Sequence, residues 1–239
     1  MLHTFSAHSA SPLYAPYFAF RQRIFNQQLG YSDSGYPVYS FPGGMGRSRD
    51  AFEYDAYDLP KAIYSVYVDP ADGQIQGCFR FLPADNRYMV RDAVEHGIWP
   101  GVELLQPLPV GHRIYEGSRI AVAPELPKAM RRQVLDALIL SNVALAVQVG
   151  FEAMIAIMSD AVWTSVYRRR GLDVHYLSKP FPLDENDPVI IGVVPMQPRH
   201  LAALQAQYDV DMQVDPELLR MHRAHVAADH RPAAVQVHP

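Results

Sequence analysis

Residues 113–122 read RIYEGSRIAV. Their apolar side chains suit a buried strand, yet Glu116 and Arg119 stand among them, with Gly117 and Ser118 between. Burying an unpaired charge is costly, so these charges need partners or a purpose. On a regular strand, residues three apart point to opposite faces. Glu116 and Arg119 can share a face only if the strand is irregular. Gly117 is the natural place for a β-bulge, which inserts a residue and re-aims the side chains around it. A central strand bulged in this way splays from its neighbour and opens a slot that can take an extended ligand. Structural ion pairs at the sheet rim are the plain alternative.

Upstream, AIYSVYV, the turn DPADG and QIQGCFRFL read as a hairpin. In its second strand Ile75, Gly77, Phe79 and Phe81 share one face, and Gln76, Cys78 and Arg80 the other. Downstream, a helix is expected from near Pro127 to Val149, stopped by Gly150. EAMIAIMS follows as a strand, and DAVWTSVYRRRG as a helix with Arg168, Arg169 and Arg170 in its last turn and Gly171 as its cap. DVHYLS and PVIIGVVPM are further strands, before a short C-terminal helix. Near the start, Tyr14, Phe18, Phe25 and Leu29 recur at helical spacing between about Leu13 and Leu29, with Arg21 inside the stripe. Residues 31–61 are irregular, a length of loop that usually has a function. Strands interleaved with helices around a hairpin imply an α/β fold, a three-layer α/β/α sandwich with a mixed central sheet. One domain is expected over 1–210, its first 61 residues mobile, followed by a partly frayed C-terminal helix and tail over 211–239.

The composition narrows the function. The 239 residues are 49% hydrophobic and 19% charged with a formal charge of −4, which gives no global reason for a nucleic-acid partner or an anionic membrane. MLHTFSAHSASP lacks the basic and apolar regions of a signal peptide. The longest apolar run is broken by Ser141, Asn142 and Gln148, so no membrane insertion is expected. Cys78 is the only cysteine, which excludes an internal disulfide and a cysteine zinc cluster. The ten histidines are scattered, with His222 and His225 in a tail segment, and no metal site is expected. These features read as cytoplasmic and soluble.

Other charges share the predicament of Glu116 and Arg119. Arg21 interrupts an apolar stripe, Asp55 and Asp58 sit in EYDAYD, and Arg80 interrupts FRFLP. In order and spacing, RxRIFxxxLGY, EYDAYD, FRFLP and YEGSR resemble the motifs of the acyl-homoserine lactone synthases, the bacterial autoinducer synthases, over about Phe18 to Val194. Three features depart from that pattern: Tyr31 stands where the family has a tryptophan, Val94 where it usually has a phenylalanine, and GGMGRSRD is unusual.

The resemblance implies an N-acetyltransferase-like fold and two substrates, S-adenosylmethionine and an acyl thioester on acyl carrier protein or coenzyme A, with no further cofactor. It implies N-acylation of S-adenosylmethionine, then lactonisation with release of methylthioadenosine, to give a quorum-sensing signal. Glu116 is the candidate base, because an α-amino group of pKa about 8 must lose a proton before it attacks. Arg21 or Arg119 suits the methionyl carboxylate. Phe25, Tyr31, Asp55 and Asp58 suit the sulfonium and adenosine, in a site covered by the N-terminal part, and Arg80 either organises these carboxylates or meets substrate. Backbone near Ser118 would donate to the thioester oxygen. Met158, Ser159 and Trp163 are candidates for the acyl pocket, and Lys128, Arg131, Arg132 and Arg168 to Arg170 for docking of an acidic carrier. Cys78 is expected to be a buried packing residue. Two other readings stay open: a coenzyme-A-dependent N-acyltransferase acting on another amine, and a non-catalytic relative that binds carrier protein or S-adenosylmethionine.

Overall fold

The structure is a computed structural model and describes residues 1–6, 9, 11–29, 52–53, 55, 57–58, 60–85, 87–99, 101–183, 188–208 and 211–228. The predicted hairpin is its spine. β2 (Ile63–Val68) and β3 (Ile75–Pro83) pair antiparallel, as their aromatic and β-branched residues favour. The Asp69 side chain fixes the turn by accepting from the Ala71 amide at 2.9 Å. β3 then pairs antiparallel with β4 (Ile114–Val122), and β4 pairs parallel with β5 (Ala153–Ser159). β7 (Val189–Pro195) and the two-residue β6 (His175–Tyr176) continue the sheet antiparallel. On the other side lie β1 (Leu2–Ser6) and β8 (Met212–Val214), giving an eight-stranded order of β6-β7-β5-β4-β3-β2-β1-β8.

The alternation read in β3 divides the core in two. Phe79 and Phe81 face α3 (Lys128–Val149) and pack with Tyr115, Met154, Val134 and Leu138. Cys78 and Leu82 face the other way, into a core with Phe18, Tyr64, Val66 and Ile155. Onto this second face pack α1 (Tyr14–Arg21) and α2 (Met89–Glu95). Layers on both sides of a mixed sheet are the predicted α/β/α arrangement. α3 is long and apolar enough to cross a membrane by length and composition, but 72% of its most apolar window is buried inside the protein. Gly150 ends it in the left-handed conformation, and Gly171 does the same after α4 (Asp160–Val166) and a 3₁₀ turn over Arg168–Arg170.

Four expectations change. The bulge in β4 is not at Gly117, which pairs in register with Phe81. The register breaks between Cys78↔Ala121 and Arg80↔Ser118, so Arg119 and Ile120 together oppose Phe79. The helix predicted to reach Leu29 is α-helical only to Arg21 and continues as a π-helix over Gln22–Gln28, a conformation often found at functional sites. The N-terminal part is not wholly a cover, since β1 lies inside the sheet between β2 and β8. The segment after 210 is not simply a tail: β8 extends the sheet, and α6 (Pro216–Ala227) buries Leu218, His222 and Val226. A short α5 (Pro198–Gln205) precedes them and packs on α3.

Candidate active site

β4 and β5 keep parallel register for three residue pairs only, ending at Glu116↔Ile155. Beyond that point the two strands have no registered pairs, and this is where the sequence reading expects a slot. Gly117 is needed here for space, not for bulging. A Cβ at this position would lie 2.5 Å from Met154 Sδ and 2.7 Å from Phe79 Cζ. Two residues on, Arg119 adopts φ 54°, the only positive φ outside glycine among the described residues. Such a conformation costs a residue with a Cβ roughly 1–2 kcal/mol. Its effect is to turn the Arg119 side chain onto the face already holding Glu116 and Ser118.

Glu116 is fully buried, and its carboxylate caps the first turn of α2. The Met89 amide donates to Oε2 at 2.8 Å and the Val90 amide to Oε1 at 2.9 Å. Burial pushes its pKa up to about 7, against the pull of those two amides and of Arg80. A carboxylate held near neutrality has the proton affinity that a general base requires.

Around Arg119 lies a lattice of charge. Arg80 stands opposite Ser118 on β3 and donates from Nε to its hydroxyl at 3.0 Å. Arg80 Nη1 reaches Asp55 at 2.5 Å and Asp58 at 3.0 Å. Arg21 Nη1 meets the same Asp58 oxygen at 2.6 Å, and Arg21 Nε donates to Glu53. Arg119 Nη2 is 2.9 Å from Glu53 and 2.8 Å from Asp55. Three guanidiniums thus face three carboxylates, a neutral set that keeps the buried charges compensated. Burial alone would raise Glu53 and Asp55, but their arginines outweigh it and hold both carboxyls below the usual range. Arg21 and Arg80 are fully enclosed, whereas the Arg119 side chain keeps 16% exposure. Arg119 is therefore the cation of this set that can meet an incoming anion. Its guanidinium also lies 5.4 Å from the centre of the Phe25 ring, presented by the π-helical turn.

The structure brings together Arg21, Phe25, Asp55, Asp58, Arg80, Ser118 and Arg119, with Glu116 on the same strand face. Tyr31 and the GGMGRSRD segment lie outside the described residues. Val94 is partly buried against the core of the second face. Glu53 was missed, although it is the first residue of the EYDAYD motif; its spacing of two before Asp55 was the available signal. Ser118 contributes its hydroxyl to Arg80. The acyl-pocket candidates belong to the α3-side core: Met158 and Trp163 are buried there, and Trp163 Nε1 donates to the Ile190 carbonyl at 3.1 Å. Ser159 caps α4 through the Val162 amide. Cys78 is buried with its thiol pushed up to about 12 by burial, the packing role expected of it. Lys128, Arg131 and Arg132 are exposed at the start of α3, whose first turn holds no acidic residue, and Arg132 Nε lies 3.9 Å from Asp136 Oδ2 one turn on. Arg168 lies over the Tyr176 ring at 4.7 Å, while Arg170 turns inward to Asp136 and leaves the basic surface.

Residues 12–204 match the family described as autoinducer synthase. The acyl-homoserine-lactone synthase of Ralstonia nicotianae (strain ATCC BAA-1114 / GMI1000) is 29% identical over 160 residues, which cover 66% of this chain and 70% of that protein. The acyl-homoserine-lactone synthase of Vibrio anguillarum is 38% identical over 78 residues, 32% of this chain and about a third, 36%, of that relative. Among solved structures, a CoA-dependent acyl-homoserine lactone synthase, BjaI, with SAM and isopentyl-CoA, shares the fold with a TM-score of 0.72 at 20% identity, covering 94% of this chain and 99% of that one. An aminoglycoside 6'-acetyltransferase type Ii matches more loosely, with a TM-score of 0.50 at 14% identity over 83% of this chain and 99% of that one.

Proposed function

We propose that this chain, which belongs to the autoinducer synthase family, transfers an acyl group from a thioester to the amine of S-adenosylmethionine and then closes the product to a lactone. The observation that carries this reading is the pairing, on one strand face, of a buried carboxylate titrating near neutrality with a guanidinium that keeps a narrow opening to solvent. Glu116 takes a proton from the substrate amine, directly or through a water. The free amine attacks the thioester carbonyl, the N–C bond forms, the C–S bond breaks and the carrier thiolate takes up a proton. The methionyl carboxylate then attacks its own γ-carbon, and the sulfonium leaves as neutral methylthioadenosine. No redox step or further cofactor is needed in this sequence.

Arg119 binds the methionyl carboxylate, because it is the guanidinium of the lattice with access to solvent. Phe25 and Asp55 meet the cationic and adenosine portions, with Tyr31 assigned to the same role. Arg21, Arg80, Asp58 and Glu53 hold these groups in place, and that positioning is itself a large catalytic contribution. The slot beyond Glu116 takes the acyl thioester, with β4 backbone near Ser118 facing the carbonyl. Met158, Ser159 and Trp163 border the acyl end. Lys128, Arg131, Arg132 and Arg168 meet an acidic carrier protein or the phosphates of coenzyme A.

Purified protein given S-adenosylmethionine and a panel of acyl thioesters, on coenzyme A and on carrier protein, tests this reading. Methylthioadenosine and an N-acyl-homoserine lactone should appear together. An amide product without methylthioadenosine would assign an N-acyltransferase, and binding without either product a non-catalytic relative.

A further inference from the structure

Asp85, His112 and His225 come from three segments far apart in sequence: the loop after β3, the loop before β4, and the last turn of α6. The structure brings one potential ligand atom from each within 4.8 Å of the others. The two imidazole rings lie close together and tilted, with centres 4.4 Å apart and planes inclined at 33°. His225 Nε2 is 3.6 Å from Asp85 Oδ2, and neither side chain is more than a fifth exposed. His112 Nδ1 sits 3.1 Å from the His225 backbone carbonyl. An acceptor there selects the tautomer with hydrogen on Nδ1, which places the ring's lone pair on Nε2. This is the second-layer contact that metal-bound histidines commonly make.

We propose that Asp85, His112 and His225 form a site for a divalent transition cation of the zinc class, which fastens α6 to the end of β3 and β4. Two imidazoles and a carboxylate are a donor set suited to that class, with a fourth position left for water. In a tetrahedral site with arms of about 2.1 Å, donors stand about 3.4 Å apart. The His225–Asp85 spacing of 3.6 Å is already close to this. A cation competes among the described residues: Lys61 Nζ lies 3.3 Å from Asp85 Oδ2. Its side chain is 58% exposed and can swing into solvent when the metal takes the carboxylate. The mechanical consequence is local. α6 already touches β4 through His222, whose Nδ1 is 2.8 Å from the Tyr115 hydroxyl, next to Glu116 in sequence. A metal one turn further along α6 would pin this contact.

The test uses the full chain stripped with a chelator and titrated with Co²⁺ as a coloured probe, then with Zn²⁺ in competition. One equivalent of Co²⁺ should give visible bands of a nitrogen- and oxygen-ligated site, Zn²⁺ should displace it, and Zn²⁺ should raise the melting temperature. His112→Ala and His225→Ala should lose that equivalent, and Asp85→Asn, which keeps the side-chain size, should weaken it. Lys61→Gln should tighten binding, and His200→Ala, at a buried histidine of α5 outside the cluster, should leave it unchanged. Far-ultraviolet circular dichroism verifies that each variant folds; if a histidine variant does not, Asp85→Asn and Lys61→Gln decide the matter. The proposal is overturned if no cobalt spectrum develops, or if the folded variants bind as the parent does.

Discussion

Glu116 and Arg119 lie three residues apart on the same face of β4, and each is committed to a different partner. Glu116 accepts the first amides of α2, whereas Arg119 reaches across to Glu53 and Asp55. The left-handed backbone of Arg119 is what puts both on one face. The strand thereby carries a buried carboxylate and a guanidinium side by side, with separate supports.

Glu116→Gln should lower turnover by about 100-fold or more, the usual contribution of a general base, with little change in the KM for S-adenosylmethionine. In the parent protein kcat/KM should rise with pH as a group near 7 loses its proton. The variant should lack that limb. Methylthioadenosine release across pH measures both effects, and an unchanged profile in the variant would remove Glu116 from the role of base.

The raised pKa of Glu116 also has a sign in stability. The folded state holds this proton to about pH 7, while the unfolded chain releases it near 4.5. Ionisation therefore favours the unfolded chain progressively from about pH 4.5 to 7, and the opposing contribution is lost on acidification. Glu53 and Asp55 act in the other direction, because their folded pKa values lie below the ordinary range. The stability they supply is present above about pH 4 and falls as pH drops further. Urea denaturation at several pH values should show the acid loss diminished in Glu53→Gln relative to the parent.

Removing Arg80 should cost about 3–5 kcal/mol, the penalty for leaving buried carboxylates without their cation. Asp55 and Asp58 are those carboxylates, and Arg80 itself is fully buried between them. Denaturation of Arg80→Ala and Arg80→Lys checks the magnitude. Loss of activity with unaltered stability would instead make Arg80 a direct substrate contact.

The backbone of Arg119 can be tested apart from its charge. Arg119→Gly and Arg119→Ala both delete the guanidinium and should both weaken S-adenosylmethionine binding. Only alanine keeps a Cβ in the left-handed region, so the glycine variant should be the more stable by about 1 kcal/mol. Equal melting temperatures would argue against strain at this residue.

Gly117→Ala should destabilise by about 1–3 kcal/mol through overpacking. The added methyl would meet Met154 Sδ and Phe79 Cζ at less than contact distance. Gly117→Ala combined with Met154→Ala should recover part of the loss, since the Met154 side chain supplies the nearer contact.

The sequence alone determined most of the frame. Alternation in QIQGCFRFL gave the two faces of β3 from Cys78 onward, although Ile75, beyond a register shift, packs with Cys78 and not with Phe79. Gly150 and Gly171 marked the helix ends that the structure shows. The motif spacing brought Arg21, Asp55, Asp58, Arg80 and Arg119 to attention before their partners were visible. These signals are local: periodicity, turn chemistry and breaks in an apolar stripe are written within a few residues of one another.

Tertiary structure decided the rest. Gly117 looked like the bulge, but Met154 and Phe79 crowd it, and the extra residue fell at Arg119 instead. Glu53 became part of the lattice because the fold sets it beside Arg21 and Arg119. The C-terminal segment read as a helix and frayed tail outside the domain, yet its strand pairs with β1 at the opposite end of the chain, and His225 meets His112 and Asp85. Spacing along the chain shows where a charge sits on its own element. Which charge it meets depends on how distant elements pack, because burial makes compensation obligatory while many partners could satisfy it.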